Sequence, residues 1–133
     1  MEITTTVANG KVPVTILRLN GNFDANTADD FNAAANKAMQ AGAGDILVDM
    51  TDVPFMSSAG MRSLHWLYTT LHPAASEDEK KKVFAAISAG AYQAPHLKLL
   101  HPSPRVVEVL KVAGMDMYIA SFKDEHAAVT AFG

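Results

Sequence analysis

The stretch VDMTDVPFMSSAGMRSLHWLY, residues 48–68, decides how this chain is read. It begins inside DILVDM (45–50), a short, nearly unbroken apolar run of the kind shown by a central strand covered on both faces. A loop follows. Ser57-Ser58-Ala59-Gly60 then opens a segment in which Met61, Leu64, Tyr68 and Leu71 recur at helical spacing, until Pro73 stops it. Two hydroxyls therefore stand at the mouth of a predicted helix over 58–71.

Those hydroxyls admit three chemistries. A serine oxygen can cap the helix by accepting a bond from a free amide of its first turn. A serine on a strand-to-helix turn can be a hydrolase nucleophile, but Phe55-Met56-Ser57-Ser58-Ala59-Gly60 lacks the flanking glycines of a nucleophile elbow, and no base and orienting acid accompany it. The third is a phosphoacceptor, since free amides and a positive partial charge accommodate a phosphate at a helix start. On an apolar surface formed by Val53, Pro54, Phe55, Met56 and Met61, that charge would change what can dock. The residues alone leave cap and switch open.

Outward from this stretch, strands alternate with helices. Residues 2–7 and 12–20 read as two strands turning at Asn9-Gly10, with Pro13 at a strand start or edge. Asn26 or Thr27 can cap a helix with Asp29 and Asp30 in its first turn and Ala28, Phe31, Ala35, Ala38 and Met39 as its stripe, closed by Gly42 and Gly44. Ser76 and Glu79 have capping-box spacing for a helix to about Ala89. Glu77 with Lys81 and Asp78 with Lys82 are its charge pairs, and Val83, Phe84 and Ile87 its apolar side, expected to pack beside helix 58–71. HLKLL (96–100) reads as a strand, and Ser103-Pro104 starts a helix with Val106, Val109, Leu110 and Ala113 on one face and Gly114 at its left-handed end. MDMYIASF (115–122) reads as a last strand, and Asp124 caps a final helix to Phe132. The expected fold is α/β, a mixed sheet of four to five strands with helices mainly on one face.

The 133 residues suit one domain, 1–133, in which 73–95 is an extra helix or loop. Cysteine is absent, which excludes disulfides and thiolate chemistry. The net charge is −3, and the one dense basic run, Lys80-Lys81-Lys82, directly follows Glu77-Asp78-Glu79, so no nucleic-acid footprint is expected. The N-terminus does not read as a signal peptide, and no apolar run is long enough to span a bilayer, so neither a membrane nor export is expected and the location is read as cytoplasmic. His65 and His72, seven apart, and His96 and His101, flanking a strand, lack metal-ligand spacing. No metal or cofactor is expected. Methionines 50, 56, 61, 115 and 117 read mainly as core filler.

The central stretch resembles the signature of the STAS family, the domain of anti-sigma factor antagonists. The family pattern Asp-Leu-Ser-Gly-Val-x-Phe-Ile-Asp-Ser-Ser-Gly-Leu is matched by Asp49 to Met61. LNGNFDANTADDF (19–31) resembles the family's Gly-x-x-Asp turn, and LKLLHPSPRVVEVLKVAGMDMYI (97–119) its late strand and Pro-Ser-Pro-x-Val helix. Residues 73–95 are longer than the usual connection. The resemblance implies a non-enzymatic regulator that binds an anti-sigma factor acting as a serine kinase, is switched off by phosphorylation and is restored by a serine phosphatase. It places the phosphoacceptor at Ser58, with Ser57 as the alternative, and the partner surface at Asp24, Asn26, Thr27, Phe55, Met56, Ser57, Ser58, Met61 and Arg62. For Asp24 an ordinary turn aspartate is the competing assignment. Ser57 stands where the family carries an acid, and Ala59 where it carries a serine. A phosphorylation-independent STAS module of a stress-signalling or lipid-transport assembly is the alternative, and a homodimer stays open.

Overall fold

Two strands with apolar residues at almost every position divide the chain into layers. In a computed structural model, which describes residues 1–73 and 76–133, the elements are β1 (Glu2–Asn9), β2 (Pro13–Asn20), α1 (Ala28–Gln40), β3 (Ile46–Asp52), α2 (Ser58–Leu71), α3 (Glu77–Ser88), β4 (Leu97–Leu100), α4 (Pro104–Val112), β5 (Ser121–Phe122) and α5 (Glu125–Thr130). The five-stranded sheet has the order β1-β2-β3-β4-β5, with β1 antiparallel to β2 and the remaining pairs parallel. This is the mixed α/β sheet that the sequence predicts.

Alternation along the strands sends side chains to two cores. Leu17, Leu19, Ile46, Val48, Met50, Leu97 and Leu99 share the larger one with Phe31 and Ala35 of α1, Leu64 and Leu67 of α2, and Val106 and Leu110 of α4. On the other face, Val14, Ile16, Leu47 and Leu100 meet Ala128, Val129 and Phe132. There Arg18 joins Asp49 at 2.8 Å to Glu125 at 2.7 Å, tying α5 to the sheet. The predicted caps form: Ser76, Ser103 and Asp124 accept from the amides of Glu79, Val106 and Ala127. Gly114 is left-handed at φ +73°.

Four expectations are corrected. Residues 115–122 are not one strand: Met115–Met117 is a 3-10 turn, and only Ser121 and Phe122 pair in the sheet. Met115 is buried while Met117 is exposed, and the amides of Tyr118 and Ile119 bond back to the Met115 carbonyl, so the alternation that resembled a strand belongs to a tight turn. In α2 the buried line is Gly60, Ser63, Leu64 and Leu67, whereas Met61, Tyr68 and Leu71 lie on its half-buried margin. Small residues at the centre let the helix approach its neighbours closely, which a search for large apolar residues overlooks. At α1 the N-cap is Thr27, but its side chain makes no cap bond. Its hydroxyl accepts from the Asp24 amide at 3.0 Å and donates to the Asn22 carbonyl at 2.7 Å.

The fourth concerns α3, which forms but buries none of its side chains. Phe84 is 73% exposed. Lys80 pairs with Glu77 at 3.2 Å, at three-residue spacing rather than the four expected for Lys81 and Lys82. Val83 and Ile87 line one wall of a cleft of about 680 Å³, facing Tyr68, Leu71, His72 and Tyr92.

That opposite wall is held by a histidine pair. His72 Nδ1 lies 2.8 Å from the Tyr68 carbonyl oxygen, which only accepts, and His72 Nε2 lies 3.0 Å from the His96 backbone N–H, which only donates. Both bonds form together only in the neutral ring protonated at Nδ1. The ring also stacks on Tyr68 and on His96, whose Nδ1 meets Asp45 at 2.8 Å. Burial pushes the His72 imidazole down, aided by His96 and Lys98 and opposed by the Tyr68 carbonyl and Asp45.

A depressed histidine means the folded state binds fewer protons than the unfolded one around pH 6.5, the ordinary value. The stability it contributes is therefore full above pH 6.5 and is lost as pH falls through the lower folded value. Thermal melts between pH 7.5 and 5 should show wild-type Tm falling more steeply than that of His72→Gln; parallel profiles would show that the His72 ring adds no pH-dependent stability. Replacing residues 76–90 by a Gly/Ser linker is expected to keep a single cooperative melt with a modestly lower Tm, because loop length enters closure entropy only logarithmically. Aggregation of that variant would place Val83 and Ile87 in the main core instead.

Candidate functional site

The loop after β2 and the loop after β3 are laced together by backbone. The Gly21 amide bonds to the Asp52 carbonyl at 3.1 Å, and the Phe23 amide to the Phe55 carbonyl at 2.9 Å. The Phe23 carbonyl then accepts from the Ser57 amide at 2.9 Å, so Phe23 and Met56 form a parallel bridge. Phe23 and Met56 are fully buried, and the Phe23 ring stacks at a tilt on Phe31, 4.7 Å away. The first turn of α2 is pressed against this bridge at Gly60. A Cβ there would overlap the Phe23 carbonyl oxygen and stand 3.0 Å from Met56 Cγ.

This clamp separates the two serines. Ser57 is the N-cap, with extended backbone, and its Oγ accepts from the amides of Ala59 at 3.2 Å and Gly60 at 3.5 Å. Ser58 is the first helical residue, exposed, and takes no part in the cap. The family's acid at position 57 is thus replaced by a residue of similar capping strength: the cap is kept and the charge is not.

Around Ser58 lie most of the predicted partner residues. Phe55 is 37% exposed, Met61 is half-buried and Arg62 is exposed one turn further along α2. Asn26 is exposed, Thr27 half-buried, and half-buried Asp24 bonds through Oδ1 to the Asn26 amide at 3.0 Å, as a turn aspartate does. Met56 is the correction within this set. It is 0% exposed, turned into the core by the Phe23 bridge, and Val53 is buried to within 1%, so neither can offer a side chain to a partner. Two neighbours were not legible. The Arg105 guanidinium lies over the Phe55 ring at 5.6 Å, brought there by α4 from fifty positions away in the chain. A groove of about 580 Å³ runs from Met61 and Arg62 past His65 and Trp66 to Met115 and Tyr118.

Asp49, the acid that opens the signature, lies on the opposite face of the sheet from α2. It holds Arg18, the Thr51 amide at 3.0 Å and the Thr51 hydroxyl, so its contacts brace β3 rather than face the serines. Among the described residues, no group of three or more histidine, aspartate or glutamate side chains is placed to hold a metal, and no helix is long and apolar enough to cross a membrane.

Urea unfolding separates these roles. Gly60→Ala should destabilise by about 1–3 kcal/mol, since the backbone carbonyl it meets cannot rotate away. Ser57→Ala should cost about 1 kcal/mol through the cap, and Ser58→Ala less than about 0.5 kcal/mol. A larger loss at Ser58 than at Ser57 would reverse the assignment of the cap.

Residues 5–76 match the model of the STAS domain. Comparison with curated protein sequences gives no match. Among solved structures, an anti-sigma factor antagonist from Mycobacterium paratuberculosis is 18% identical with TM-score 0.70, the alignment covering 98% of this chain and 93% of that one. An anti-sigma-factor antagonist (STAS) domain protein from Planctomyces limnophilus is 19% identical with TM-score 0.65, covering 98% and 97%. The Bacillus cell fate determinant SpoIIAA in its phosphorylated form is 18% identical with TM-score 0.62, covering 96% of each chain. These likenesses are of fold, and they extend beyond the matched segment through β4, α4 and α5. With the signature lodged at the β3–α2 junction and the family model spanning more than half its length, the chain belongs to the STAS domain family.

Proposed function

We propose that this protein is a non-enzymatic regulator that binds an anti-sigma factor kinase through the surface around α2, and that phosphorylation of Ser58 releases it. The observation that carries the reading is the division of labour between the serines: Ser57 caps the helix, leaving the Ser58 hydroxyl outside the cap on an exposed first turn. The first-turn amides and the exposed Arg62, four residues on, suit a phosphoryl group there. The partner would rest on Phe55, Met61 and Arg62, with Asp24, Asn26 and Thr27 at the neighbouring turn. Added charge of about −1.5 to −2 on this half-apolar patch would oppose docking. A serine phosphatase would reverse the step, and the exchange would take place in the cytoplasm. No bond-making step is assigned to the chain itself.

A second reading draws on α3, which lies beyond the matched segment and opens an apolar cleft beside exposed Phe84. It makes the chain a STAS interaction module that works without phosphorylation, in a stress-signalling or lipid-transport assembly. Phosphate-affinity electrophoresis and peptide mass spectrometry of the protein recovered from its own cells distinguish the two. The switch predicts phosphate on Ser58; phosphate confined to Ser57 would move the site by one residue, and its absence under all growth conditions favours the module. With the captured anti-sigma partner, Ser58→Ala should bind like the wild type and Ser58→Asp at least about tenfold more weakly. Equal affinities of the two folded variants would sink the electrostatic switch.

A further inference from the structure

The sheet ends differently on its two sides. β5 closes one edge with only two residues, a length that offers little to a passing strand. β1 forms the other with eight, paired to β2 from Glu2 to Asn9 without a register shift. Exposed edges are ordinarily guarded by a proline, a lysine, a bulge or a covering element. β1 has no proline, lysine or bulge, and its one charge, Glu2, sits at its end. Thr4, Thr5 and Thr6 are exposed, and Val7 is 63% exposed.

The strand is also asymmetric along its length. Ile3, Thr5 and Val7 point to the face that carries α1. Ile3 packs against the larger core, whereas Val7 at the other end lies uncovered. An antiparallel copy would bring a covered end beside an uncovered one, twice.

We propose that β1 pairs with β1 of a second copy of this chain, antiparallel about a twofold axis at Thr5, so that two sheets become one. A twofold axis normal to the sheet keeps each face on its own side, so residues 3, 5 and 7 must oppose residues of the same set. The axis at Thr5 engages the whole strand and sets Ile3 opposite Val7 twice and Thr4 opposite Thr6 twice. β-branched pairs of this kind stabilise neighbouring strands. An axis at Thr6 would instead put Ile3 opposite Asn9. Glu2 and its symmetry mate fall at opposite ends, so the like charges do not meet. The contact is narrow, and the dimer it makes is reversible and concentration-dependent. The pairing does not depend on the switch.

The chain has no cysteine, so a single introduced one reports the axis directly. In the paired state the two Thr5 Cα atoms stand about 4.5–5.5 Å apart, within disulfide range. Under mild oxidation Thr5→Cys should form a covalent dimer at least about tenfold faster than Thr69→Cys, an exposed control on α2, at equal concentration. Sedimentation of the wild-type chain should show a mass rising with concentration to twice 14.2 kDa, and Val7→Lys should raise the dissociation constant about tenfold. A wild-type chain that stays at 14.2 kDa up to millimolar concentration overturns the proposal. So does a Thr5→Cys chain that cross-links no faster than the control, or one outpaced by Thr6→Cys.

Discussion

The carbonyl group of Phe23 is the point on which the site depends. It accepts the Ser57 amide and stands against the Cα of Gly60, so one oxygen sets both the last residue before α2 and the closeness of its first turn. Because a side chain at Gly60 has nowhere to go, the helix axis is brought in close, and Leu64 and Leu67 reach the sheet. The same contact leaves Ser57 extended, the conformation an N-cap requires, and turns Ser58 outward. A small residue in the helix and a buried phenylalanine in a distant loop thus decide which hydroxyl is available.

The signature consequently splits into positions that hold the junction and positions that face solvent. Asp49, Val53, Met56 and Gly60 belong to the first group: an acid fastened to Arg18 and Thr51, two apolar side chains in the core, and a glycine under a carbonyl. Phe55 and Ser58 belong to the second, with Met61 half-buried between the two groups. Arg18 ties α5 to the sheet face opposite α2, because its guanidinium joins Asp49 of β3 to Glu125 of α5. The pair is partly solvated, so it contributes little to stability.

What could be seen in the sequence follows from how local each cause is. Caps at Ser76, Ser103 and Asp124 need only a hydroxyl or carboxylate near an amide three residues on, and these were legible. β3, buried on both sides, announced itself through a nearly unbroken apolar run. Several of the misreadings involve partners distant in the chain, whereas the Thr27 and Met115 turns mislead although their bonds are local. Met56 reads rightly as core filler but wrongly as partner surface, because its bridge to Phe23 is not visible in the sequence, and Gly60 and Ser63 look indifferent until their smallness is needed for packing. The 3-10 turn at Met115 copies a strand's alternation because two methionines two apart take one buried and one exposed place. Arg105 over Phe55 and the His72–His96 stack require the folded sheet to bring α4 and β4 into place.

The electrostatics of the helix starts adds a last step. α1, α3 and α5 carry acids in their first turns, which offset the positive end of the helix. α2 and α4 carry none. Their starts lie on one side of the molecule, where Arg105 of the first turn of α4 stands over Phe55, two residues before the cap of α2. Arg62 adds a second cation one turn into α2. A negative group at Ser58 would therefore meet the positive end of a helix and a cation rather than an acid, and the Ser57 cap adds no charge against it. On the proposed reading, such a charge would suit the helix start and oppose docking through Phe55 and Met61. Phosphorylation in this setting would act on the complex without loosening the fold, which is the property a reversible switch on a small domain requires.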